Sequence, residues 1–122
     1  MDALIVFPHQ LFDLQHAWQG SQTVYLVEDP LFFRDPIYPA TFHRLRLIFH
    51  RASMQAYASS LKQMGYSVDY FDYPEDGRIQ NWIQIFLTQG IRCLHFFDPA
   101  DFILEKRWRK ALQEAGIELK LH

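Results

Sequence analysis

Five glycines in 122 residues, at positions 20, 65, 77, 90 and 116, never fall into a Gly-x-Gly-x-x-Gly or P-loop pattern. The backbone cradle that such loops offer to phosphate after a first strand is missing, which disfavours a dinucleotide-binding or other nucleotide-binding enzyme. The single cysteine, Cys93, excludes an intramolecular disulfide framework. It reads as a small buried hydrophobe in a reducing compartment. The six histidines, at 9, 16, 43, 50, 95 and 122, contain no His-Glu-x-x-His, and there is no Cys-x-x-Cys, so no metal site is expected from spacing. No Gly-x-Ser-x-Gly is present and no base is evident beside Cys93, so covalent catalysis has no constellation to act through. A metal-dependent phosphoacceptor domain needs an acidic pair after its first strand, where this chain has His9-Gln10. Twelve Lys and Arg against fourteen Asp and Glu give a net charge of −2, which carries no general affinity for polyanions. The opening MDALIVFPHQ has neither a basic leader nor a long apolar run, so no signal peptide or membrane span is expected, and the chain reads as cytoplasmic.

What is abundant is aromatic: 16% of the residues, with eleven Phe, six Tyr and three Trp in a chain that is 49% hydrophobic. That suits one domain, spanning 1–122, with one core and some rings left over for a flat ligand or a docked partner. Short apolar runs mark strands at Ala3 to Phe7, Thr23 to Glu28, Tyr66 to Tyr73, Ile91 to Asp98 and Ile117 to Leu121. The first is continuous, as for a strand covered on both faces; the third and fifth alternate, as for strands nearer an edge. Between them, "TFHRLRLIFHRASMQAYASSLKQMG" predicts a long helix with Thr41 as N-cap. Its expected apolar face is Leu45, Ile48, Phe49, Ala52 and Ala56, extended by Leu61 and Met64, with Gly65 as the stop. A second helix is expected over Arg78 to Thr88, and a third from a start between Pro99 and Ile103 to Ala115. Residues 13–18 read as a short helical turn, and 29–39 as a long loop with three prolines and the pair Phe32-Phe33.

Alternation of strand and helix predicts an α/β fold: a Rossmann-like three-layer α/β/α arrangement on a five-stranded parallel sheet of order 3-2-1-4-5. Ligands in such sheets bind at the carboxyl ends of the strands, where the order reverses, which brings residues 8–13 beside 98–102. His43, Arg46 and His50 make a helical stripe that suits either a solvated face or an anionic ligand. Asp69 and Asp72 at the end of the third strand read mainly as solvated carboxylates.

Four features recur in order: Gln10-Leu11 after strand one; Glu28 ending strand two; His43-Arg44, Arg46, Leu47, Phe49 and Ala52-Ser53-Met54 on the long helix; and Asp98-Pro99-Ala100-Asp101-Phe102 after strand four. This set resembles the N-terminal α/β domain of the deoxyribodipyrimidine photolyase-related proteins, a bacterial branch of the cryptochrome/photolyase family that includes iron-sulfur (6-4) photolyases. The chain departs from the family pattern in three places. His9 replaces an Asp before Gln-Leu, residues 29–39 lengthen the segment after Glu28, and Glu-Pro-x-Glu-Trp becomes Asp98-Pro99-Ala100-Asp101-Phe102.

The resemblance implies an antenna domain that holds a lumazine- or deazaflavin-like chromophore through His9, Gln10, Leu11, Glu28, Asp29, Arg44, Asp98, Asp101 and Phe102. It implies that FAD and an iron-sulfur cluster belong to a separate C-terminal helical domain, which would be this domain's partner and would alone meet damaged DNA. The isolated chain is then expected to be non-catalytic, with the parent a photolyase-like lyase. Phe32, Phe33 and Trp108 are the rings expected to mark the docking surface for that domain. Locally, Gln10 can also be read as a turn cap and Glu28 as a strand-end carboxylate near a helix N-terminus. The competing reading is a Rossmann-like interaction module with an empty pocket.

Overall fold

The computed structural model describes residues 2–11, 18, 23–30, 44–74 and 78–122, with the side chains of 44–47 left out. Five strands form one parallel sheet: β1 (Asp2–Val6), β2 (Thr23–Val27), β3 (Ser67–Phe71), β4 (Cys93–Phe96) and β5 (Glu118–Leu121). Among the described residues three helices connect them: α1 (Arg44–Gln63) between β2 and β3, α2 (Gln80–Thr88) between β3 and β4, and α3 (Phe102–Ala115) between β4 and β5. The spatial order is β3-β2-β1-β4-β5, as the alternation of elements predicts. Register is set by pairs such as Leu4 with Val24 on one side of β1 and Leu4 with His95 on the other. The chain steps outward from β1 to β3, then crosses back to β4 and β5, so parallel crossovers of one hand put α1 on one face and α2 and α3 on the other.

Alternation along the strands separates two cores. Ala3, Ile5, Phe7, Tyr25, Val27, Leu94 and Phe96 face α2 and α3, where Trp82, Ile83, Phe86, Leu104, Trp108 and Leu112 close the layer. Leu4, Val6, Val24, Leu26 and Val68 face Trp18 and the α1 residues Met54, Ala58 and Leu61. Each such large side chain taken from water contributes about 1.5–3 kcal/mol before the cost of ordering the chain. Trp108 is the hub of the first core, within 5.5 Å of the Phe7 and Phe96 ring centroids and 6.2 Å of Trp82. Its exposure is 0%, which corrects its assignment to an exposed docking surface. A helix position four residues from both Leu104 and Leu112 faces the sheet, and the indole is too large to be left outside. Phe32 and Phe33 lie outside the described residues, as do Thr41, His43, the turn over 13–17 and most of the loop over 29–39.

The face of α1 is a second correction. Met54, Ala58 and Leu61 are buried, whereas Ile48 and Phe49 are 55% and 68% exposed and Ala52, Ala56 and Met64 are also outside. At about 100° per residue, the stripe through 48, 49, 52 and 56 lies roughly opposite the one through 54, 58 and 61. Periodicity was satisfied by both stripes, and the sheet selected the second. Gly65, Gly90 and Gly116 do end the three helices. At Gly116 the left-handed conformation, φ 75°, lets Ile117 N–H reach back to the Leu112 carbonyl at 3.0 Å and turns the chain directly into β5.

Candidate functional site

The carboxyl edge of the sheet begins with Pro8, which ends β1 because it fixes φ and offers no N–H to a neighbouring strand. Phe7, Pro8, His9 and Gln10 form a turn closed by the Gln10 N–H on the Phe7 carbonyl at 2.9 Å, with proline in its favoured second position. The turn carries Gln10 into the junction between β1 and β4, the point where strand order reverses. There Gln10 is 1% exposed. Its Nε2 donates to the carbonyls of Phe97 at 3.0 Å and Asp98 at 3.3 Å. Its Oε1 is buried without a hydrogen-bond partner among the described residues.

Beside it, His9 Nε2 lies 2.8 Å from the Pro99 carbonyl, which can only accept, so this ring nitrogen carries the proton. A carboxylate in that place would face the carbonyl with no proton to give. That is a local physical reason for histidine where the family pattern has an acid. The facing segment after β4 is itself held tightly. Asp98 Oδ1 accepts from Ala100 N–H at 2.9 Å, Ala100 adopts the left-handed φ of 52°, and Asp101 caps α3 by accepting from Leu104 N–H at 3.0 Å. Asp98 and Asp101 thus shape the backbone that presents carbonyls to His9 and Gln10. Leu11 is half-buried against the α1-side core. Phe102 is 77% exposed, with Lys106 Nζ 5.8 Å from its ring. Arg44 begins α1, and its side chain lies outside the described residues.

On the other side of β1, Glu28 is 0% exposed and its carboxylate receives four donors. Arg51 engages it in a two-pronged pair, Nε to Oε2 at 2.8 Å and Nη2 to Oε1 at 2.7 Å. Tyr70 hydroxyl donates at 2.6 Å and Tyr73 N–H at 2.8 Å. The charge-assisted bond to Glu28 raises the Arg51 pKa, and burial followed by the same carboxylate pushes the Tyr70 hydroxyl well above its ordinary range. Every strong acceptor position of Glu28 is filled from within the chain. Asp29, also 0% exposed, accepts the Trp108 indole N–H at 2.7 Å, which ties the end of β2 to α3 across the other core. Asp69 and Asp72 are exposed.

Sequence reading thus named Gln10, His9 and Asp98, which the fold does bring together, and Asp101, which caps α3, and missed Arg51, Tyr70 and Tyr73. None of the three has a local motif. Register alone, with Val27 opposite Phe71, brings β3's end to Glu28.

With the fold and this edge in view, comparison with known proteins places the chain. A family model described as "Deoxyribodipyrimidine photo-lyase-related protein" matches residues 4–122. The chain belongs to the deoxyribodipyrimidine photolyase-related protein family. It is 32% identical over 107 residues to an uncharacterized protein of Acanthamoeba polyphaga mimivirus. That match takes in 84% of this chain but 54% of the viral protein, so the chain spans about half the length of the curated relative it matches.

Proposed function

We propose that this chain is the antenna-chromophore-binding domain of a photolyase-like flavoprotein and is not itself catalytic. The observation that carries the reading is the Oε1 of Gln10 at the β1–β4 junction, buried and without a partner among the described residues. A buried acceptor without a donor costs about 1–3 kcal/mol, and a ligand N–H or hydroxyl would remove that cost. A lumazine- or deazaflavin-like ring offers such a donor at its edge and suits an aromatic-rich setting with few oriented polar groups. When bound, such a chromophore would supply excitation to a flavin. Gln10 and Leu11 would hold and orient it, and His9, Asp98 and Asp101 would fix the backbone around it. None of this asks for an acid, a base or a nucleophile. On this reading FAD, an iron-sulfur cluster and contact with damaged DNA belong to a C-terminal helical domain beyond these residues. The whole protein would act in light-dependent repair of dipyrimidine or (6-4) lesions, or in cryptochrome-like blue-light sensing, in the cytoplasm. No described helix is long and apolar enough to cross a membrane.

The test is a titration of the chain with a lumazine and, separately, a deazaflavin, read by chromophore fluorescence. Saturable binding that Gln10→Ala weakens tenfold or more is expected; no binding of either overturns the reading. One observation favours a second reading, a Rossmann-like interaction module without a chromophore. Both Gln10 amide hydrogens, the His9 ring N–H and all of Glu28 are already engaged within the chain. Under that reading Gln10→Ala changes stability alone.

A further inference from the structure

At the opposite, amino end of the strands a second polar group lies on the α1-side face. β1 and β4 pair in parallel with Asp2 opposite Cys93 and Leu4 opposite His95. Two-residue alternation then puts Asp2, Cys93 and His95 on one face of adjacent strands. One ligand atom from each, a carboxylate oxygen, a sulfur and a ring nitrogen, lie within 4.8 Å of one another. His95 Nε2 is 3.0 Å from Asp2 Oδ2 and 3.8 Å from Cys93 Sγ. A single ring N–H can serve only one of these two neighbours, whereas a cation between them meets all three.

The imidazole is also held as a ligand would be. Its other nitrogen, Nδ1, is 2.9 Å from His122 Nε2, and the Trp18 ring packs with its centroid 5.1 Å from that of His95. Fixing the far nitrogen of a coordinating histidine sets its tautomer and aim. If His95 Nδ1 donates to His122, the lone pair of Nε2 is turned toward Asp2 and Cys93. Cys93 is 6% exposed and His95 9%, while Asp2 lies at the surface, so the group is reached from one side only. Glu118 and Lys120 flank it from β5 with opposite charges.

We propose that Asp2, Cys93 and His95 form a binding site for a divalent transition ion of the zinc type, with His122 as a positioning residue. The chemistry of the set selects the ion. A thiolate and an imidazole favour zinc or cobalt(II) over magnesium or calcium, which take oxygen ligands. The separations of 3.0 and 3.8 Å are shorter than two metal–ligand bonds of about 2.0–2.3 Å placed end to end, so one ion reaches either pair without strand movement. Binding replaces the Cys93 S–H by an S–metal bond and releases that proton to solvent. Three protein ligands leave a fourth position for water.

The experiment titrates the chain with cobalt(II) and then displaces it with zinc. Saturation at one equivalent is expected, with a thiolate-to-cobalt charge-transfer band that zinc removes and magnesium does not. Cys93→Ser should abolish the band, Asp2→Asn should weaken binding tenfold or more, and His122→Ala about 10–100-fold. Absence of the band at one equivalent, its persistence in Cys93→Ser, or unchanged affinity in Asp2→Asn overturns the proposal. Should Cys93→Ser fail to fold, the spectrum of the unaltered chain and the surface variant Asp2→Asn still decide.

Discussion

Glu28 and Gln10 follow neighbouring strands and are almost equally buried, but the charged Glu28 has a donor for every strong acceptor position, while the neutral Gln10 has spent its donors and kept a buried acceptor with no donor among the described residues. The first corner is closed. It joins β2, α1 and the end of β3 through one carboxylate and recruits nothing further. The second is closed only as a donor, and what it lacks is the kind of group a ligand brings. Equal burial of a polar side chain therefore carries different meanings, and the count of partners separates them.

The strongest way to break the contrast is to open the closed corner. Arg51→Ala leaves the Glu28 charge buried with Tyr70 and Tyr73 as its donors among the described residues. Breaking such pairs costs about 3–5 kcal/mol, and here the low end is expected because Arg51 is half exposed and water can follow it out. Chemical denaturation of the variant measures this. Adding Arg51→Met to Glu28→Gln should recover part of the loss, since no buried charge then remains.

Tyr25 is an intermediate case, with its hydroxyl donating to Gln89 and its ring stacked 4.8 Å from Phe86. Burial first, and then the Asp69 charge, push its pKa from 10.0 up to about 12. The folded state therefore keeps this proton in a range where the unfolded chain has lost it, and stability must fall with rising pH there. The contribution, about 2–3 kcal/mol by the size of the shift, is intact below pH 10 and disappears as pH climbs from about 10 to about 12. Tyr25→Phe should lose about 1 kcal/mol at neutral pH and show a shallower alkaline slope in thermal unfolding.

The smallest change is expected at the open corner. Gln10→Leu removes two hydrogen bonds to the carbonyls of Phe97 and Asp98 but also removes the unpartnered oxygen, so the two effects oppose each other. A net loss of about 1 kcal/mol or less is expected in denaturant unfolding, well below the Arg51→Ala value. A loss as large as at Glu28 would mean that the two corners are alike and that Oε1 is not the distinguishing feature.

Much of this was legible in the sequence. Five apolar runs separated by helical patterns determined the element order, and parallel connectivity with helices between strands narrowed the topology to the one observed. Gly65, Gly90 and Gly116 marked the helix ends because a left-handed residue is needed there and glycine adopts it without strain. Pro8 marked the end of β1, and Gln10 was named as a site residue through the family resemblance. Three things were not legible. The face that α1 buries was misread because two apolar stripes share the helix and only contact with the sheet chooses between them. Trp108 was read both on the apolar face of the third helix and as an exposed docking ring, and the contact that decides between these, with Asp29, lies 79 positions away. The metal-like group escaped a search by spacing because Cys93 and His95 are two apart on a strand, while Asp2 enters from the neighbouring strand.

The sequence by itself determined the succession of elements, their stops and the strand-end turn that carries Gln10, because these depend on backbone preferences and on hydrophobic order within a few residues. Only the tertiary structure decided which polar groups are satisfied. Whether a buried oxygen has a donor depends on register between strands and on residues dozens of positions away. That is why Glu28 is closed, Gln10 is open, and Asp2 meets Cys93 and His95.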